Sequence, residues 1–310
     1  MLHNYGSINL DHVYRVPHLV RPGETLASRD YRVGLGGKGA NQSLAMASAG
    51  GRVSHWGRLG RQDAWARERL ARAGVQVETI ALVNEPSGHA IIQVDDHGEN
   101  AILLFPGANH GTTEADLEIY FATTSPGDWL LTQNECNDLS RVMERAAEVG
   151  LHVALNPAPM SDAVRALPLE HCQLLFVNRG EAAWLAGLEA ASPPEALLDG
   201  LARRLPNSEL VLTLGSDGAW YQDRDTRHFQ PALPVTPRDT TAAGDTFIGY
   251  YLAALQQGRA VTDCLIWAAT AAALGVQVAG AAESIPQAMA VERALRDGLP
   301  VPLHHDEETP

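Results

Sequence analysis

Thr240-Thr241-Ala242-Ala243-Gly244-Asp245-Thr246 runs straight into Phe247, Ile248, Tyr251, Leu252 and Leu255, apolar residues at helical spacing. Small residues and a glycine ahead of an amphipathic run predict a helix whose first backbone N–H groups are uncovered, a place where an anion can sit. Asp is also common at ordinary helix starts, where it complements the helix dipole. Here it supplies, within one turn of an anion cradle, a carboxylate able to take a proton from a hydroxyl. Those two parts are what phosphoryl transfer to an alcohol requires.

Working outward, short apolar runs alternate with helical patterns along the whole chain. Strands are expected over residues 2–8, 129–132, 152–156, 174–178 and 210–214, and helices over 39–48, 65–72, 139–149, 181–188, 194–205, 245–256 and 262–274. Such alternation means βαβ units and a doubly wound, mostly parallel α/β sheet with helices on both faces. Residues 24–33 and 89–105 instead alternate with period two, with a hairpin turn at Asp95-Asp96-His97-Gly98. They predict a small separate sheet, either a lid over one end or an edge elaboration. Five strands of the main pattern stop in polar groups: Asn9 and Asp11, Gln133 to Glu135, Asn156, Asn178 to Glu181, and Thr213. In open α/β sheets ligands bind beyond such strand ends, so their convergence predicts a polar site.

Composition narrows the classes. The chain has 310 residues, 45% of them hydrophobic, and a formal charge of −14, which argues against nucleic acid and anionic membranes as partners. Cys136, Cys172 and Cys264 lack disulfide or zinc spacing. The opening MLHNYGSINLDH shows neither a basic nor an apolar signal region, and residues 267–282 are too weakly apolar for a membrane span. A soluble cytoplasmic protein is therefore expected, as one domain over 1–310 with a frayed tail at 300–310. Lys38 is the only lysine beside 22 arginines, and it lies in the glycine-dense Gly36-Gly37-Lys38-Gly39. Arginine codon bias explains the count, while a site needing a compact ammonium explains the place. Gly34 to Gly39 satisfies GxGxxG, yet the half-polar Asp30-Tyr31-Arg32-Val33 before it suits a dinucleotide site poorly. A Walker loop fails because Gly39 stands where Ser or Thr is needed.

Several blocks resemble the ribokinase family of carbohydrate kinases. They are Gly6-Ser7-Ile8-Asn9-Leu10-Asp11, Pro22-Gly23-Glu24-Thr25, Gly36 through Gln42, Gly107-Ala108-Asn109 and Leu155 through Pro159. Asn178-Arg179-Gly180-Glu181, Thr213 through Gly218 and Asp239 through Phe247 complete the set, in family order over nearly the whole chain.

The resemblance implies a ribokinase-like fold with lid strands within about 10–35 and 88–106, and transfer of the ATP γ-phosphoryl group to the 5-hydroxyl of a sugar such as D-ribose. Deoxyribose, fructose or a sugar acid are the rival acceptors, and a non-catalytic sugar sensor is the rival class. By the same resemblance Asp245 is the base, with the N–H groups of Ala242, Ala243 and Gly244 as the anion hole. Asn9, Asp11, Gly37, Lys38, Asn41 and Glu135 would hold the sugar. Asn178, Thr213, Gly215, Gly218 and Thr270 would line the ATP site. Asn178 and Glu181 would organise Mg²⁺ through water. Asp239, the carbonyls of Thr241, Gly275, Val278 and Gly280, and the Ser284 hydroxyl would hold a monovalent cation, usually K⁺. Pairing of lid strands between two subunits would make a homodimer.

Overall fold

The computed structural model describes residues 1–298. The expected tail at 300–310 lies outside them. The main sheet contains β1 (Leu2–Tyr5), β4 (Val53–Gly60), β5 (Ile80–Val83), β8 (Trp129–Gln133), β9 (His152–Asn156), β10 (Cys172–Asn178), β11 (Glu209–Thr213), β12 (Ala219–Gln222) and β13 (Arg227–Gln230). Their order is β13-β12-β11-β10-β9-β8-β1-β4-β5, parallel throughout except for the antiparallel edge strands β12 and β13. Register sets Gln133 beside Asn156 and Asn178 beside Thr213, so the polar strand ends line one edge.

Helices cover both faces, as the alternation predicts. On one face pack α1 (Lys38–Ser48), α2 (Ala64–Arg72), α7 (Ala243–Gln256), α8 (Val261–Gly275) and α9 (Ala288–Asp297). On the other lie α3 (Glu114–Phe121), α4 (Leu139–Glu148), α5 (Arg179–Ala186) and α6 (Pro194–Arg204). The apolar stripes of the helices and the continuous apolar runs of the strands thus close one core above the sheet and one below it. Among the described residues, no helix is long and apolar enough to cross a membrane.

The second sheet is the expected one, with order β3-β2-β6-β7 from β2 (Asn9–Arg15), β3 (Asp30–Gly36), β6 (Gly88–Val94) and β7 (Asn100–Phe105). Its hairpin turn falls at Asp95–Gly98, where the Asp95 carboxylate accepts from the N–H groups of His97 and Glu99. Two expectations need correction. The strand expected over 24–33 occupies Asp30–Gly36 instead, because Glu24 closes a turn with Arg21 and its carboxylate bonds the Arg21 N–H and His18. The strand expected over 2–8 stops at Tyr5, because a Cβ on Gly6 would lie 2.6 Å from Gly39 Cα, and the chain turns there to let α1 in.

Candidate active site

The N-termini of α1 and α7 meet where strands β8 to β11 end. At α7, Ala242 takes a left-handed conformation (φ 60°, ψ 10°) that turns the chain into the helix. The N–H of Ala243 donates to the Thr240 carbonyl at 3.2 Å. Those of Ala242, Gly244 and Asp245 find no protein acceptor among the described residues. Uncovered N–H groups at the positive end of a helix dipole favour an incoming anion.

Asp245 is 7% exposed, and each of its oxygens accepts one hydrogen bond. Asn41 Nδ2 donates to Oδ2 at 3.2 Å, and Gln42 Nε2 donates to Oδ1 at 2.9 Å. Both donors come from the first turns of α1, which Gly37 admits at φ 87°, where a Cβ would press on the Asn9 N–H and Ser7. Asn41 Oδ1 is buried without a partner among the described residues, so it remains an acceptor for a ligand hydroxyl.

Lys38 lies in a cavity of about 220 Å³ lined also by Asn178, Glu181, Thr213, Gly244 and Asp245. The Asp245 carboxylate foremost, then Glu135 and Glu181, raise its pKa against the opposing effect of burial. The ammonium thus stays charged at the mouth of the anion cradle. Glu135 accepts from the Lys38 backbone N–H at 3.0 Å and from the Ser7 hydroxyl, while burial pushes its carboxyl above the usual range. Asp11, on β2 of the second sheet, is pushed up to about 6, mainly by burial and further by Glu135 and Glu283. Its carboxylate occupies the space that a side chain at Gly36 would take. Asn9 Oδ1 accepts from Asn109 Nδ2 at 2.7 Å, which ties the start of β2 to residues 107–110 and leaves the Asn9 amide nitrogen uncommitted.

Asn178 and Glu181 form a reciprocal capping box of α5, each side chain accepting from the other's backbone N–H at 2.9 Å. One polar atom on each is left without a protein partner among the described residues, and both residues line the cavity. An amide and a carboxylate there fit a magnesium ion held through water. Asp239 bonds the Thr241 N–H (2.9 Å) and hydroxyl (2.6 Å) with one oxygen and the Gly280 N–H (2.9 Å) with the other. It thereby draws the segment before α7 onto the 275–284 loop, so that Thr241, Gly275, Val278, Gly280 and Ser284 come from two joined segments. An oxygen-rich set with one carboxylate fits a hard monovalent cation.

Gly215 and Gly218 form the tight turn after Thr213, at φ 61° and 112°. Thr270 is different. It is fully buried within α8, its hydroxyl accepted by the Ile266 carbonyl at 2.8 Å, and it does not line the cavity.

Underneath lies a bonded set in which sequence reasoning had named Gln133 and Asn156 only as polar strand ends and Gln42 only within the Gly36–Gln42 block, and had passed over Asn4, Ser43 and His55. Gln42, Gln133, Asn156, Asn4, Ser43 and His55 are buried and bonded to one another behind Asp245. The available signal was a run of amides in the least exposed segments.

Uncovered helix N–H groups, a buried carboxylate and a polar pocket at the strand ends are the parts that phosphoryl transfer to a hydroxyl requires. In agreement, residues 1–288 match the model of the pfkB family carbohydrate kinases, and the chain belongs to that family. It is 35% identical to the ribokinase of Haemophilus influenzae over 91% of this chain and 94% of that one. Among solved structures it is similar to ribokinase of Cryptococcus neoformans in complex with ADP, with 33% identity and TM-score 0.80 over 94% and 98% of the two chains. It is also similar to Arabidopsis thaliana ribokinase complexed with ribose and ATP, with 28% identity and TM-score 0.84 over 95% and 98%. The protein is a carbohydrate kinase of ribokinase-like fold.

Proposed function

We propose that the protein phosphorylates D-ribose on its 5-hydroxyl, using ATP, in the cytoplasm. The observation that carries this is Asp245, held by a hydrogen bond on each oxygen at a helix N-terminus with uncovered N–H groups and Lys38 alongside. Asp11, Asn41 and Glu135 take the sugar hydroxyls, since carboxylates accept from vicinal O–H groups. Asn9, Gly37 and Lys38 complete that wall. Asp245 removes the proton of the 5-hydroxyl as its oxygen bonds to the γ-phosphorus. The bond from that phosphorus to the β-bridging oxygen breaks, and ADP leaves with the electron pair. The uncovered N–H groups of Ala242 and Gly244 and the Lys38 ammonium take up the charge on the transferred group, while the expected third donor, the Ala243 N–H, is engaged by the Thr240 carbonyl.

Asn178 and Glu181 would hold Mg²⁺ through water, and residues 239–241 and 275–284 a K⁺ ion; these neutralise phosphate charge and stabilise the cradle when bound. Thr213, Gly215 and Gly218 lie along the nucleotide. The lid strands, within 10–35 and 88–106, close over the sugar and exclude water, which would otherwise accept the phosphoryl group. Support for a homodimer comes from β7, an edge strand with Ile102, Leu103 and Leu104 all more than half exposed.

The test is ADP release from Mg·ATP with D-ribose, 2-deoxyribose, fructose or adenosine, each in K⁺ and in Na⁺ buffer. Ribose-dependent turnover that rises with K⁺ is expected. Turnover on another sugar alone would overturn the ribose assignment, and silence on every sugar would overturn the catalytic reading.

A further inference from the structure

Behind Asp245 runs a chain of buried polar side chains, of which only the terminal Asn156 lines the cavity beside it. Its members are almost completely buried: Asn4, Gln42, Ser43 and His55 at 0% exposure and Gln133 at 1%. The hydrogen bonds can be traced from the far end. His55 Nε2 lies 3.1 Å from the Gly6 carbonyl, which only accepts, so Nε2 carries the proton. Burial pushes the imidazole down to about 4, so the ring is neutral and Nδ1 is an acceptor. Ser43 Oγ, 2.9 Å away, therefore donates to Nδ1 and accepts from Asn4 Nδ2 at 2.8 Å. The other Asn4 hydrogen goes to the Gly39 carbonyl at 2.8 Å, and Asn4 Oδ1 accepts from Gln133 Nε2 at 3.0 Å. The second hydrogen on Gln133 Nε2 goes to Gln42 Oε1 at 2.7 Å.

Gln42 Nε2 is then left with one outlet toward Asp245 Oδ1 and one toward Asn156 Oδ1, at 2.9 and 3.3 Å. Asn156 is itself oriented by its donation to the Phe176 carbonyl at 3.2 Å. From His55 to Gln42 every side-chain donor is committed, and each points one way. Flipping the Gln42 amide would set Oε1 against a carboxylate and its nitrogen against that of Gln133.

We infer that Gln133, acting through Gln42, is a positioning residue for the phosphoryl transfer: the relay Asn4–Gln133–Gln42 fixes the rotamer of Asp245 so that its free lone pairs face the acceptor hydroxyl. The inference rests on the reading of Asp245 as the base. Its physical warrant is the direction of the relay together with its burial. Gln133 Oε1 is buried without a partner among the described residues, and an unsatisfied buried acceptor is destabilising. An apolar side chain of the same size would avoid that cost, but it could not orient Gln42. A chain of satisfied buried donors also rigidifies what it holds. Reactive alignment is demanding, and a misplacement near 1 Å costs about a hundredfold in rate.

The experiment compares Gln133→Met and Gln133→Glu with the wild-type enzyme and with Asp245→Asn. Turnover is measured by ribose-dependent ADP release, normalised to folded protein by nucleotide-binding titration. Both Gln133 side chains keep the volume; Met removes the donors, and Glu replaces them with an acceptor facing Gln42 Oε1. The expected result is a kcat lowered about ten- to a hundredfold, with the KM values for ribose and ATP within about twofold of wild type. Gln133→Glu should be the worse of the two. A kcat within about twofold of wild type, or a loss confined to KM, overturns the inference. A wild-type enzyme silent with ribose, or an Asp245→Asn variant at full rate, would instead strike the reading of the base.

Discussion

The two sheets treat polar and apolar groups in opposite ways. In the main sheet and the α1 turn above it, amides and an imidazole are sealed at or below 1% exposure, each donor assigned, directly behind Asp245. In the lid sheet, β7 exposes every one of its residues, and Leu103 is 67% exposed. The body commits buried polar groups to one geometry, while the second sheet leaves apolar surface exposed. Asp11 stands at the border: its strand starts buried at Asn9 and Leu10 and becomes steadily more exposed toward Arg15. The division suits a kinase in which chemistry needs a rigid base and sugar entry needs a mobile cover.

The largest effect should come from the rigid side. Asp245→Asn should lower kcat by about 10²–10⁴ while calorimetry still shows ribose and ATP binding. A variant keeping more than about a tenth of the rate would remove Asp245 as the base.

A pair of identical substitutions sharpens the contrast next. Gly249→Ala, where the new Cβ would sit 2.4 Å from Ala45 Cβ between α1 and α7, should cost about 1–3 kcal/mol in urea unfolding. Gly34→Ala in the lid, with Glu283 at 3.9 Å as the only neighbour met, should stay within about 0.5 kcal/mol. Equal costs at both positions would erase the distinction between body and lid.

The border residue should show itself in pH. Because the Asp11 carboxyl is raised to about 6, it is ionised above that value and protonated below. Protonation removes acceptor capacity for sugar hydroxyls, so kcat/KM for ribose should be flat above pH 6 from this group. Below it, the value should fall about tenfold per unit. The fall should vanish in Asp11→Asn, whose ribose KM should already be high.

The smallest effect belongs to the far lid. Leu103→Glu should change unfolding stability by less than about 0.5 kcal/mol, yet shift the protein toward monomer in light scattering and raise ribose KM a few-fold. An unchanged mass with an unchanged KM would separate β7 from any role in assembly or closure.

Much of the site was legible because its residues carry local signals. The small-residue lead into α7, the lone lysine among glycines and the polar strand ends each follow from chain-local chemistry. The strands β4, β5, β12 and β13 and the helices α3 and α9 escaped notice. Polar or mixed sequences such as Ser54-His55-Trp56 in β4 are strand-like only because neighbours on both sides complete the ladder. The capping box at Asn178 and Glu181 shows a different limit: one spacing served both a helix start and a ligand site, and geometry shows the cap directly.

By itself, the sequence determined the alternating α/β order, the separate period-two strands, a helix opening beside Asp245 (the structure starts it two residues earlier, at Ala243) and the identity of the acid and amide groups at the strand ends. These are matters of periodicity and backbone chemistry, which act over a few residues. Only the tertiary structure decided that Asn41 and Gln42 bond a carboxylate 204 and 203 positions away, and that Gln133 joins Asn4 to Gln42. It also decided that Thr270 turns into the core. The reason is that an amide reads the same whether it faces water or a buried partner, and its bonding is settled by which segments the parallel sheet brings side by side.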